Sequence, residues 1–228
     1  MAEEGEATFL NARRRIEGID RTETGSIRFS LPPMMAFDVV APILARFSEA
    51  YPGIDVEVRL TDEQEDINRA ETDVSLHVAY EVSDDVVAQK LYPIAIGTYA
   101  SQYYIDNALP KAGAGLNWIG LIGARENPGW LSQSPFPAAS VRHASSEGYM
   151  HISLLRQGCG TSQLPVIFEH LFPDLSQIPG TPCELDRTMW ILLQSDLRRT
   201  VRVCRFVDFQ TKGLRELQPL LQGQLHKA

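Results

Sequence analysis

Between Pro52-Gly53 and Thr61 the chain reads Ile-Asp-Val-Glu-Val-Arg-Leu. Ile54, Val56, Val58 and Leu60 alternate with Asp55, Glu57 and Arg59, the period-two pattern of a strand with one face turned to a core. Such a strand needs partners, and the flanking sequence supplies them. Upstream, Ile27, Phe29 and Leu31 alternate with Arg28 and Ser30, after a Thr24-Gly25 break and before a Pro32-Pro33 stop. Ala36, Val40, Ile43 and Phe47 then fall on one helical face, with Pro42 in its early part as a candidate kink. Downstream, the polar residues 62–71 read as a helix and Val74, Leu76 and Val78 as a third strand. The order β-α-β-α-β predicts an α/β protein with parallel strands joined by helical crossovers.

Further along, residues 86–99 are mainly extended and lead out of that first sheet. Short elements follow: a helix over 101–108, a strand over 118–122, a Gly/Pro/Asn/Ser-rich loop over 123–137, and a strand over 141–143. Ser145-Ser146-Glu147 reads as a helix N-cap with an acid in the first turn, the helix ending at Gly158. A brief strand over 160–164 stops at Pro165, and a helix spans 165–171. A strand over 188–193 and a helix from 200 to 211 complete the reading. At the start, Phe9, Ala12, Ile16 and Ile19 form a short heptad seam on a helix over 2–19, which docks on its own domain or pairs with another helix.

Several chemistries are disfavoured. A chain of 228 residues with 44% hydrophobic and 22% charged residues can bury a core without staples. A net charge of −8 opposes nucleic-acid binding by the chain itself, because phosphate contacts need clustered Lys and Arg. Cys159, Cys183 and Cys204 are odd in number and form no CxxC pair, so neither a disulfide framework nor a zinc site is expected. The acidic start has no signal-peptide core, and no apolar run is long enough for a membrane span, which predicts a cytoplasmic protein. Gly113-Ala114-Gly115 lacks phosphate-loop spacing, and Glu169-His170 is not an HExxH motif. His151, His170 and Cys159 have no ligand spacing, and Gly160-Thr161-Ser162-Gln163 lacks the second glycine of a nucleophile elbow. The expectation is therefore no catalytic residue, no metal and no cofactor.

A series of segments in fixed order carries a resemblance. Gly25-Ser26-Ile27-Arg28-Phe29 opens it, followed by residues 42–52 (PILARFSEAYP) and 54–60 (IDVEVRL). Asp73-Val74-Ser75-Leu76 is similar to an Asp-Ile-Ala-Leu pattern. Ala100-Ser101-Gln102-Tyr103 is similar to Ala-Ser-Pro-x-Tyr, with Gln102 in the place of proline. Residues 158–165 (GCGTSQLP) are similar to Gly-x-Gly-Ile-x-x-Leu-Pro, with polar residues in place of aliphatic ones. Asp196-Leu197-Arg198-Arg199-Thr200 and Val207-Asp208-Phe209 close the series. Together, over residues 25–215, these resemble the effector-binding domain of LysR-type transcriptional regulators.

The resemblance implies a two-lobed, periplasmic-binding-protein-like (type 2) α/β fold with two crossover segments, near residues 93–98 and 199–202. Residues 1–24 would be the remnant of a linker helix. Lobe I would comprise 25–96 and 201–228, and lobe II 97–200. The family's winged helix-turn-helix head has no counterpart here, so DNA would be reached only through that missing head. The implied partners are a small, anionic organic effector and further copies of the chain in a homodimer or homotetramer.

In open parallel sheets ligands sit outside the carboxyl ends of strands. That rule and the resemblance select the same places: Ser30, Leu31, Pro32, Met34 and Met35 between strand one and helix one, then Thr61, Gly97 and Thr98, Ser145 and Ser146, and Thr161 and Ser162. Hydroxyls and helix N–H groups suit a carboxylate. Each has a plainer reading: Ser30, Ser145 and Ser146 as caps, Met34 and Met35 as core packing. No arginine lies among these positions, which disfavours a polyanion; Arg125 and Arg142 are exceptions whose placement sequence does not give. A transporter's solute-binding protein shares the fold but needs an export signal or lipid anchor. An enzyme on this fold needs a catalytic cluster. Arg13-Arg14-Arg15 is a solvated helix face or a contact near the absent head.

Overall fold

A computed structural model describes residues 23–61, 72–82, 87–108, 116–122, 136 and 138–224. The expected helices over 2–19 and 62–71, the Arg13-Arg14-Arg15 run, Arg125 and most of the 123–137 loop lie outside the described residues.

The chain divides into two compact units. The first contains residues up to Pro93 together with Arg187–Gln218, the second Ile94–Asp186 together with residues from Pro219 onward. The first unit is built on β1 (Gly25–Leu31), β2 (Ile54–Leu60) and β3 (Val74–Ala79). β1 pairs in parallel with β2 in full register from Gly25↔Ile54 to Leu31↔Leu60, and with β3 through Phe29↔Val74 and Ser30↔Ser75. The strand order is β2-β1-β3, then β9 (Glu184–Leu193) and β4 (Val87–Ser101). β9 runs antiparallel to β3, a reversal that periodicity cannot reveal.

The helical run over 33–50, here α1, has three parts: Pro33–Met35, a wide-turn segment Ala36–Val40, and Ala41–Ala50. The Ala41 N–H reaches back five residues to the Ala36 carbonyl. This widened turn immediately precedes Pro42, which has no N–H and whose ring would crowd the preceding turn of a regular helix. The expected kink thus takes the form of a π-bulge.

Helix α1 buries Ile43 and Phe47 against α5 (Val201–Glu216). Phe206 of α5 meets both Phe29 (5.0 Å, 74°) and Phe47 (5.1 Å, 88°) edge-to-face, a geometry favoured by the ring quadrupoles. The two helices approach so closely at Gly213 that an added Cβ would lie 2.7 Å from Ile43 Cγ2. Tyr92 donates its hydroxyl proton to the Leu214 carbonyl, tying β4 (Val87–Ser101) to the same helix.

In the second unit the later part of β4 pairs antiparallel with β7 (Ser162–Pro165) and β8 (Leu175–Gln177). β5 (Asn117–Leu121) and β6 (Ser140–Ser145) form a parallel pair. Three short helices accompany them: α2 (Gln102–Ala108), α3 (Tyr149–Arg156) and α4 (Ile167–Leu171). The core gathers Ala100, Tyr104, Ile105, Leu116, Trp118, Ala139 and Ile178. Just past the end of α3 stands Gly158, whose φ of +70° is natural for glycine. The Cys159 N–H reaches Leu154 O and the Gly158 N–H reaches Leu155 O, the paired bonds of a Schellman stop. A final turn, α6 (Gln218–Leu221), follows α5.

Candidate functional site

In the first unit, β1 and β2 end side by side, and the Thr61 N–H bonds the Leu31 carbonyl at 3.0 Å. Ser30, Leu31, Pro32, Met34, Met35 and Thr61 therefore occupy one end of the parallel strands. Ser30 is fully buried there, and its Oγ lies 2.7 Å from Ser75 Oγ on β3. The two hydroxyls face each other because parallel pairing sets residue 30 beside residue 75. Leu31 and Met35 are core side chains, whereas Pro32, Met34 and Thr61 are half-exposed. Pro32 and Pro33 have no N–H, and the Met35 N–H bonds Pro32 O. Met34 is thus the residue of the first turn with an N–H to offer an anion. At the end of β3, Tyr80 is 71% exposed.

In the second unit, Thr161 and Ser162 come together with β5. The Thr161 N–H bonds Asn117 O at 2.8 Å, its Oγ1 donates to the same carbonyl at 3.3 Å, and its own carbonyl accepts from Ile119 N–H. Ser162 Oγ donates to Ile119 O at 3.0 Å. Both side chains are buried. Gly160 makes this approach sterically feasible: an added Cβ would stand 2.5 Å from Asn117 O. Thr98 is buried on β4 opposite Gln163, and Gly97 lies opposite Leu164 beneath the ring of Tyr99. Burial and the nearby Glu169 carboxylate raise the pKa of Tyr99, so its hydroxyl stays neutral.

Ser145 and Ser146 lie at the carboxyl end of β6. Ser145 Oγ accepts from the Glu147 N–H at 3.1 Å, and Ser146 is exposed. The N–H groups that open α3 are taken by Glu147: one carboxylate oxygen accepts from Tyr149 N–H (2.7 Å) and the other from Met150 N–H (3.0 Å). Ser145 shapes the turn while the adjacent acid covers the helix start, favourably placed at the positive end of the helix dipole.

Three participants escaped the sequence reading. Ser75 stands where the Asp-Ile-Ala-Leu pattern has alanine, and that departure was the available signal. Glu147 was read as a dipole partner rather than as the capping group. His151, four residues after Glu147, is 5% exposed, with Nδ1 3.1 Å from Ser162 Oγ. Burial lowers its pKa, while the Gly120 carbonyl and Glu147 act in the opposite direction.

The described residues contain no helix long and apolar enough to cross a membrane. A family model described as the LysR substrate binding domain matches residues 20–215. An HTH-type transcriptional regulator of Xanthomonas campestris pv. campestris is 32% identical over 82 residues, 36% of this chain and 24% of that protein. The glycine cleavage system transcriptional activator of Escherichia coli K12 is 31% identical over 102 residues, 40% of this chain and 33% of that protein. The matches thus span a quarter to a third of these relatives. Among solved structures, CrgA, a LysR-type transcriptional regulator from Neisseria meningitidis, superposes with a TM-score of 0.72 at 18% identity, covering 93% of this chain and 76% of that one. The AmpR effector binding domain from Citrobacter freundii gives 0.66 at 17% identity, covering 85% of this chain and all of that one. At these identities the superpositions establish the fold, the two-lobed type 2 α/β architecture.

Proposed function

The chain belongs to the LysR substrate-binding domain family, and from that premise we propose that it is the effector-sensing and oligomerisation domain of a LysR-type transcriptional regulator. It would act on transcription in the cytoplasm through a DNA-binding head outside these residues. The observation that carries the reading is the match over residues 20–215, joined to hydroxyl-bearing strand ends in each unit. The transporter reading is not favoured: the relatives that match are transcriptional regulators.

The effector in this reading is a small organic anion. The residues read as its contacts are the Ser30–Met35 turn and Thr61, together with Gly97, Thr98, Ser145, Ser146, Thr161 and Ser162. We take 25–96 with 201–228 as lobe I and 97–200 as lobe II. The buried Ser30 would act by lending its proton, or its lone pair, at the floor of the turn, and the Met34 N–H would meet the charge. The chain would assemble as a homodimer or homotetramer, with α1 and β2 of one copy against α3 of another. Support comes from β2, an edge strand whose Val58 and Leu60 are 43% and 44% exposed.

A thermal-shift screen of small carboxylates and aromatic acids tests the sensing role, with calorimetry on any compound that raises the melting temperature. Binding that weakens about tenfold to a hundredfold on Thr161→Val supports the site, since a hydrogen bond to a charged group contributes about 1.5–3 kcal/mol. No stabilising compound in the screen, or undiminished affinity in both Ser30→Ala and Thr161→Val, speaks against it.

A further inference from the structure

α3 packs on β5 and β7, and His151 occupies its first turn on the buried face. Ser162 of β7 lies between the ring and β5: its proton goes to the Ile119 carbonyl, so the neutral imidazole donates to Ser162 Oγ through Nδ1. One chain of hydrogen bonds thus runs from α3 through β7 to β5. The other ring nitrogen, Nε2, is buried and has no hydrogen-bond partner among the described residues.

We propose that His151 is a proton-operated latch that seats α3 on β5 and β7 when neutral and releases the helix's first turn when protonated. A proton added at Nε2 creates a cation and a new donor at a buried position with no acceptor in bonding geometry among the described residues. The strands beneath the helix supply no counter-charge: β5 reads Asn-Trp-Ile-Gly-Leu and β7 Ser-Gln-Leu-Pro, without an ionisable group, and the Gly120 carbonyl of β5, which favours the protonated ring, is outweighed by burial. β6, the strand beside β5, carries Arg142 and His143, which cannot stabilise a further cation. On α3 itself, Arg156 pairs with Asp174 at 2.8 Å at the far end, and Tyr149 is neutral at these pH values. Among the described residues Glu147 is the one acid acting on the ring, and its two oxygens already serve Tyr149 and Met150.

The direction of the response follows. The seated state holds the imidazole below its ordinary pKa of 6.5, so it binds fewer protons than the released state, and acid favours release.

The test uses the full chain, with imidazole NMR and amide hydrogen exchange recorded from about pH 7.5 to about pH 5.5. The protection of α3 amides, corrected for intrinsic exchange, should fall by up to about tenfold over that interval in step with His151 protonation. His151→Asn, whose amide can still reach Ser162, should abolish the fall. Constant α3 protection in the wild type, or an equal fall in His151→Asn, overturns the latch. If that variant does not fold, the wild-type titration decides: a ring that protonates at or above 6.5 without any change in α3 also overturns it.

Discussion

Ser30 and Ser75 illustrate how a single hydroxyl changes meaning once its neighbour is known. From the sequence, Ser30 is a strand-end hydroxyl, bound to ligand or capping a helix. In the fold both side chains are buried and 2.7 Å apart, so neither is hydrated when the other is removed. Ser30→Ala and Ser75→Ala should each destabilise by about 1–3 kcal/mol, because one buried hydroxyl is left unpaired. The double alanine variant should be nearly as stable as the wild type, and a denaturant double-mutant cycle measures the coupling. Additive losses would show that the pair contributes nothing as a pair. Thr161→Val should cost less than about 1 kcal/mol, since the backbone bonds of Thr161 with Asn117 and Ile119 remain. The Ser30–Ser75 contact was illegible in the sequence for a simple reason. Its partners are 45 positions apart, and only the register of β1 on β3 brings them together.

Elements were more legible than contacts wherever a pattern repeated. β2 spans the residues its alternation marks, and β1 pairs in parallel with both β2 and β3 as the β-α-β-α-β order requires. Pro42 announced an irregularity in α1, though not that a widened turn would absorb it. β8 was missed because three residues carry no period, and the 160–164 strand begins instead at Ser162. α3 begins at Tyr149, just after the Ser145-Ser146-Glu147 segment that reads as its cap and first turn, and the capping oxygens belong to Glu147 rather than to a serine. Glu147→Ala should therefore lower stability by about 0.5–2 kcal/mol, as for other lost N-caps, and chemical denaturation checks it. Gly160→Ala should be worse than its size suggests. The new methyl meets the Asn117 carbonyl, so β5 must shift or the residue must strain, at about 1–3 kcal/mol. A thermal melt unchanged by that substitution would show that β5 yields freely.

At the scale of the whole molecule, acid should weaken the fold below about pH 6.5. His77, on β3 opposite Trp190, also has its pKa lowered by burial. A histidine held neutral in the native state binds its proton more readily when unfolded. Stability is therefore full above the unfolded pKa and declines as pH falls toward the folded one, by at most about 1.4 kcal/mol per pH unit for each such group. Denaturation midpoints across that range should show the decline, and His77→Gln should remove part of it. The division into two units was harder to read from sequence than the elements, since each unit is assembled from separated stretches of chain. That discontinuity bears on how the molecule is made. On a ribosome, β1, α1 and β2 emerge early, yet Phe29 and Phe47 find Phe206 only after Ile94–Asp186, the larger part of the second unit, has been synthesised. Until then a nascent first unit displays uncovered aromatic rings and an unpaired flank on β3, where β9 will lie. A premature stop before residue 201 would strand it in that state, so such truncated products should be sought in chaperone complexes and inclusion bodies rather than in the soluble fraction.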